Sequence, residues 1–226
     1  MDLTKIQEQF NSVARKYDSQ RRGFIPGFDD FYKSSVSLLK CYNNDFKTIV
    51  DLGAGTGLLT KELYELYPDA HYILIDIAKD MLKIAEERFN GLSNFEFMVS
   101  DYVEDIPVDD CDLISSALSI HHLEHGEKEA LYKNIYKKLD KNGCFINLDQ
   151  FAGSSKTING LYNAWWHDYI DRSDISPEEK ARGEERRKLD KENTIEETIA
   201  LLKSSGFKDV ECIYHFMKFG VIVAIK

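Results

Sequence analysis

The stretch Ile49-Val50-Asp51-Leu52-Gly53-Ala54-Gly55-Thr56-Gly57-Leu58-Leu59-Thr60 constrains this chain more than any other. A short apolar run ends in an acid, turns through alternating glycines and opens a helical pattern at Leu58, Leu59, Leu63 and Leu66. Strand, tight loop and helix in that order make the first unit of a nucleotide-binding α/β sheet. Alternate glycines permit positive φ and let a ligand lie directly on the backbone. The next apolar strand, His71-Tyr72-Ile73-Leu74-Ile75, ends at Asp76, nineteen residues beyond Gly57. An acid so placed suits hydrogen bonds to the two hydroxyls of a ribose.

Two cofactor classes share this layout. The dinucleotide fingerprint is G-x-G-x-x-G/A, with pyrophosphate on the helix N-terminus. Here the spacing is G-x-G-x-G, and Leu58 stands where the third small residue belongs. Asp51, at the mouth of the loop, repels a pyrophosphate and attracts a sulfonium or ammonium group. The expected ligand is therefore cationic at one end and adenosyl at the other.

At these residues the chain resembles the class I S-adenosylmethionine-dependent methyltransferases, from about Ile49 to Phe151 and again near Thr194. Asp51-Leu-Gly-Ala-Gly-Thr-Gly resembles their first motif, Asp76 their ribose-binding acid, and Asp101-Tyr102 the pair flanking adenine. The resemblance implies a three-layer α/β/α sandwich: a seven-stranded, mostly parallel sheet with an antiparallel last strand, plus a helical cap. It implies S-adenosyl-L-methionine as cofactor, S-adenosyl-L-homocysteine as product and a small-molecule methyl acceptor. Asp51, Gly53, Ala54, Gly55 and Gly57 would hold the methionine end, with Ser116 and Ala117 beneath the reactive part. Ile77 and Met81 would cover an adenine face, Met81 being equally suited to the core. Asp101 could instead cap a turn. Such N-terminal helices form a lid in the family, where Tyr17 and Arg22 would reach the methionine carboxylate; a solvated turn with a packed tyrosine is the other reading.

The expected organisation is a single domain over residues 1–226. It comprises an N-terminal lid (1–45), a cofactor-binding core (46–151), a cap insertion (152–193) and a closing helix with a strand hairpin (194–226). Ile6, Phe10, Val13 and Tyr17 give an amphipathic first helix ending near Tyr17-Asp18, and Arg21 to Gly27 reads as a break before a helix over 29–42. Strands are expected at 48–51, 71–76, 95–99, 111–117, 144–148, 210–216 and 219–225, with Asn142-Gly143 closing the helix before the fifth. Thr194-Ile195-Glu196-Glu197 is a capping box. The cap insertion holds Trp165, Trp166 and Tyr169, read either as a substrate box or as a helix packed on the body. Its run Glu184-Glu185-Arg186-Arg187-Lys188 reads as a solvated helix face.

Methyl transfer from a sulfonium needs a base only when the acceptor carries a proton, and His121, His122 and Asp149 are the candidates at strand C-termini. In the family, His-His-Leu also serves simply to pack the loop. His121-His122-Leu123-Glu124-His125 fits the H-x-x-E-H zinc pattern, but the segment leaves a buried strand and Gly126 interrupts a helix, so no metal is expected.

With 29 basic and 39 acidic residues the net charge is −10, which disfavours a nucleic-acid partner. The D/N/S-P-P-Y/F/W motif of nucleic-acid amino-methyltransferases is also missing from Ser116-Ala117-Leu118-Ser119. Four dispersed cysteines, a start without signal-peptide character and no apolar run long enough for a membrane helix point to a cytoplasmic protein without a membrane partner, monomer or homodimer. Two rival functions share the sheet: a nicotinamide-dependent oxidoreductase, and a non-catalytic adenosyl-binding or cofactor-remodelling protein.

Overall fold

The computed structural model describes residues 3–42 and 45–226. The expected amphipathic pattern at Ile6 and Val13 falls on side chains outside that description. Seven strands form one sheet: β1 (Thr48–Leu52), β2 (His71–Asp76), β3 (Phe95–Val99), β4 (Cys111–Ala117), β5 (Leu139–Gln150), β6 (Asp209–Phe216) and β7 (Phe219–Ile225). Their order is β3-β2-β1-β4-β5-β7-β6, parallel except that β7 runs antiparallel to both neighbours. The expected fold class is the observed one. The order reverses between β1 and β4, so their C-terminal ends splay into the crevice where open sheets bind ligands.

The helices are α1 (Leu3–Val13), α2 (Tyr17–Phe24), α3 (Phe28–Tyr42), α4 (Leu58–Leu66), α5 (Lys79–Arg88), α6 (His125–Lys138), α7 (Lys156–Asp171), α8 (Pro177–Arg187) and α9 (Ile195–Ser204). Apolar residues of α3, α4 and α5 (Phe31, Leu39, Leu59, Leu63, Leu82 and Ala85) pack with Ile49, Tyr72 and Leu74 on one sheet face. Leu131 and Ile135 of α6 and Leu202 of α9 pack with Val50, Ile114 and Phe145 on the other. Successive strand residues alternate between these two cores, so central strands are apolar throughout, as doubly covered strands must be.

Three boundaries differ from expectation. The first helix ends at Val13, not near Tyr17-Asp18, where α2 instead begins. Arg21, Arg22 and Gly23 do not break the chain but complete α2, because only Pro26 and Gly27 (φ 63°) cannot continue a helix here. Asn142 (φ 66°) does not close α6, which ends at Lys138. It turns within the first part of β5, where Leu139 pairs with Cys111. The charge run of the insertion is helical as expected, in α8, entered through Ser176 and Pro177, but its Arg186 and Arg187 are half-buried against Phe24 and Trp166 and not on a solvated face.

Thr194 caps α9 as expected: its hydroxyl accepts from the Glu197 amide at 3.1 Å, and Glu197 accepts from the Thr194 amide at 2.8 Å. Thr194→Ala should lower unfolding stability by about 1 kcal/mol. An unchanged urea midpoint would show that the box does not hold the helix end.

Candidate active site

Segments following β1, β2, β3 and β4 meet at the C-terminal strand ends and line a cavity of about 550 Å³, counting the part open to solvent. The loop after β1 contributes Gly53 (φ 66°) and Gly55 (φ 57°). A Cβ on Gly53 would lie 2.0 Å from Ser119 Oγ, so close approach as well as conformation requires glycine. Asp76 ends β2 with both carboxylate oxygens anchored: Oδ2 accepts from the Gly55 amide at 2.8 Å and Oδ1 from the Ala78 amide at 2.7 Å. Burial raises its pKa to about 6 against those amides, so a partner for the anion is favourable in the cavity.

Ile77, Met81, Asp101, Tyr102 and Ala117 also line the cavity. Asp101 additionally accepts from the Val103 amide at 2.9 Å, so it also caps a turn. The Tyr102 hydroxyl lies 2.7 Å from Ser119 Oγ.

The lid covers this cavity. Tyr17 and Phe10 face into it. Gln7 donates to the Ile77 carbonyl at 2.8 Å, and Asn11 accepts from the Asp80 amide at 3.0 Å. Asp18 accepts from Thr56 Oγ1 at 2.6 Å and pairs with Arg88, which also donates to the Thr56 carbonyl at 2.8 Å. The latch thus closes directly onto the glycine loop.

Several expected contacts are not made to this cavity. Asp51 is buried below the loop, accepting from Thr60 Oγ1 at 2.5 Å and Ser115 Oγ at 3.0 Å. Burial raises its pKa to about 6, and it ties loop to sheet rather than facing a sulfonium. Ala54 and Gly57 do not line the cavity; a Cβ on Gly57 would meet Phe89 at 2.7 Å, so that glycine admits helix packing. Ser116 is turned away, donating to the Leu52 carbonyl at 2.8 Å. Arg22 points to solvent and holds Asp29 through two hydrogen bonds of 2.9 Å. One helical turn from Tyr17, it is Arg21 that faces inward, its guanidinium 3.7 Å above the Tyr17 ring.

A second cavity, of about 470 Å³, adjoins the first. Phe10, Leu118 and His122 line both. Leu118 takes φ 54° there, a conformation costly for a residue with a Cβ. The second cavity is roofed by α2 and α8, and Arg21, Gln150, Arg186, Arg187 and Asp190 bring its polar groups. None of those residues was an expected site residue. Helical spacing from Tyr17 would have found Arg21; no local signal marks the others.

His121 is caged beneath it. Its Nδ1 donates to Asp149 at 2.5 Å, its Nε2 lies 3.5 Å from Asp190, and the Gln150 side-chain amide is 3.0 Å away. Burial alone would depress its pKa, but Asp149 and Asp190 outweigh that and raise it to about 10. Asp190, despite burial, is held below its usual range by His121. His122 Nδ1 lies 3.3 Å from the same carboxylate without the alignment of a hydrogen bond. Desolvation and the neighbouring imidazolium lower its pKa to about 4. His121, His122 and Asp190 bring one ligand atom each within 4.8 Å of one another, enough to consider a metal. A cation there would have to displace the proton that His121 shares with two carboxylates.

The tryptophans do not reach either cavity. Trp166 is buried, donating from Nε1 to the Phe24 carbonyl at 2.9 Å. Trp165 stacks on Tyr169 at 5.6 Å, and both border an open surface groove with Arg22 and Arg172. The insertion's aromatics therefore pack α7 onto the lid.

Residues 49–143 match a family model described as a methyltransferase domain. The cavity stands at the C-terminal strand ends, where open α/β sheets bind their ligands. This stretch matches a methyltransferase domain, and the sheet around it has the fold of the class I S-adenosylmethionine-dependent methyltransferases. Over its whole length the chain is similar to the carboxy-S-adenosyl-L-methionine synthase of Nautilia profundicola, 26% identical over 98% of this chain and 96% of that one. Among solved structures it resembles a putative O-methyltransferase from Nostoc punctiforme (TM-score 0.67, 19% identity, 96% of this chain). It spans 60% of that longer chain. It also resembles the DhpI protein in complex with SAH (TM-score 0.67, 16% identity, 96% of this chain and 93% of that one). Among the described residues no helix is long and apolar enough to cross a membrane.

The two histidines should titrate far apart. His121 binds its proton more tightly folded than unfolded, so its stabilising effect is complete below the ordinary value of 6.5 and fades as pH rises through about 10. His122 has the opposite sign, its contribution complete above 6.5 and lost as pH falls through about 4. Imidazole NMR resonances both titrating near 6.5 would dissolve the cage. His121→Asn, which strands two buried carboxylates, should cost about 3–5 kcal/mol in urea unfolding.

Proposed function

We propose that this protein transfers the methyl group of S-adenosylmethionine to a small-molecule acceptor held in the second cavity. The observation that carries this is the meeting of two cavities at His122, Leu118 and Phe10. The first cavity fits the adenosyl group: a glycine cradle that a Cβ would fill, and a buried carboxylate held by backbone amides with its cavity side open to hydroxyl donors.

In this reading Asp76 accepts the ribose hydroxyls, Asp101 accepts from the adenine amino group, and Ile77 and Met81 cover the base. Gly53 and Gly55 let the backbone approach, and Tyr17 closes the methionine side. When bound, S-adenosylmethionine supplies a methyl group already activated on sulfur, so the protein's task is alignment and exclusion of water. The lid and α8 provide the exclusion.

Of the three candidate bases, His121 and Asp149 are consumed by each other. His122, neutral at pH 7, is the remaining group able to take a proton from an acceptor. Its role is needed only for an acceptor that arrives protonated.

A second reading has the cofactor itself as the molecule modified. It is favoured by the name of the full-length relative, whose product is carboxy-S-adenosyl-L-methionine. Mass spectrometry of the turnover mixture separates the two: S-adenosylhomocysteine forming with a methylated acceptor, or a carboxylated cofactor.

Calorimetric titration should show micromolar binding of S-adenosylmethionine and S-adenosylhomocysteine and none of NAD. Asp76→Ala should weaken the first two by about 1–3 kcal/mol, since buried donors of the ligand lose their acceptor. Binding of NAD alone would replace this reading with the oxidoreductase one.

A further inference from the structure

The second cavity has a charge pattern that the fold does not require. Three guanidinium groups line it from two separate elements: Arg21 on α2, and Arg186 and Arg187 on α8. Among the described residues none of the three lies within 4 Å of a carboxylate oxygen. Aromatic faces hold them instead. Arg21 stacks on Tyr17 at 3.7 Å, Arg187 lies 4.4 Å from the Trp166 centroid, and Arg186 is 5.7 Å from that of Phe24. Those contacts set the planes of the guanidiniums while leaving N–H groups to be satisfied. Arg187 spends one donor on Asn163 Oδ1 at 2.8 Å. Arg21 Nε is fully enclosed and has no acceptor.

The one carboxylate in the cavity wall, Asp190, is occupied by the two histidines. Three guanidiniums and the His121 imidazolium stand against Asp149 and Asp190, an excess of two positive charges in an acidic protein. Burial, and after it the neighbouring Arg21 guanidinium, lowers the Arg186 pKa to about 10. A desolvated cluster of cations with an open donor is stabilised by an anion, and planar guanidiniums match a carboxylate in two-point geometry. Beside the two histidines, Gln150 and Gly183, the wall carries the apolar side chains of Phe10, Phe24, Ile25, Leu118 and Phe219.

We propose that the second cavity binds a small carboxylic acid with an apolar body, its carboxylate clamped by Arg21, Arg186 and Arg187 and its body lying toward His122 and the first cavity. This rests on the reading of the second cavity as the acceptor site and names the acceptor's chemical class. The space between α2, α8 and the strand ends, about 470 Å³ counting the part open to solvent, suits a small acid. The clamp also fixes which end of the acid faces the cofactor: the charged group is drawn to α2 and α8, and the remainder carries the reacting atom.

The test is calorimetry and thermal shift on the full chain, with and without S-adenosylhomocysteine. The probes are benzoate, salicylate, their primary amides and phenyl phosphate. The acids should bind and their amides should not. Arg186→Gln and Arg21→Gln should each weaken acid binding by about tenfold or more. The S-adenosylhomocysteine affinity of Arg186→Gln should stay within about twofold of wild type, and Arg186→Lys should recover part of the loss. Melting curves of each variant identify any that merely unfold, and the lysine variant carries the conclusion if the glutamine variant does.

Amides binding as well as acids, no acid binding to the wild type, or acid affinity unchanged in both glutamine variants would overturn the clamp. Preference for phenyl phosphate over benzoate would overturn the carboxylate assignment. Acid binding without any S-adenosylhomocysteine binding would uphold the clamp while defeating the methyl-transfer reading, so the two fail separately.

Discussion

The buried ion cage around His121 holds together the parts that make this site. Asp149 comes from the end of β5, His121 from the turn after β4, and Asp190 from the segment leaving α8. Burying one imidazolium between two carboxylates is tolerable only because each charge has a partner at close range; removing one strands the others. Its neighbours reinforce it along the same segment. The Lys191 amide donates to the His121 carbonyl at 2.7 Å, Lys128 reaches Asn193 Oδ1 at 2.7 Å, and buried Lys218 pairs with Glu192 at 2.6 Å. Residues 190–193 are thus pinned to the sheet by polar contacts with little apolar burial, and this pinning presents Arg186 and Arg187 to the second cavity.

The two cavities are closed by elements outside the sheet. The cofactor cavity has its floor at the strand ends, where the β1–β4 reversal opens a crevice, and its roof in α1 and α2. The Asp18–Arg88–Thr56 contacts bind that roof to the glycine loop itself, so lid position and loop conformation are mechanically linked. A closed lid excludes water and strengthens each polar contact within. The same helix, α2, supplies Tyr17 to one cavity and Arg21 to the other.

Much of the sheet was legible because its signals are local. The glycine loop, Asp76 and the closing hairpin depend on residues adjacent in sequence, and Ile77, Met81, Asp101, Tyr102 and Ala117 follow from strand ends. The misplacements have distinct physical causes. Asp51 was read by its charge, yet at the end of a doubly covered strand it turns into the sheet, where Thr60 and Ser115 satisfy it. Arg22 was given a place at the methionine carboxylate by the resemblance, in a stretch read as a break; α2 tolerates Gly23 and continues, which places Arg21 inward and Arg22 outward. Arg186 and Arg187 sit in a run of charges indistinguishable from a solvated face until α8 is laid against Phe24 and Trp166. The tryptophans were weighed as a substrate box or as packing, and they pack.

By itself the sequence determined the doubly wound sheet, its antiparallel last strand and a crevice suited to an adenosyl ligand. Hydrophobic periodicity, glycine spacing and capping act within a few residues of one another, and that range can be read along a chain. Only the tertiary structure decided which histidine is charged, which arginine faces inward and where a second ligand lies. Those properties depend on burial and on charges brought together from β4, β5, α2 and α8, and no spacing along the chain encodes the distances between them.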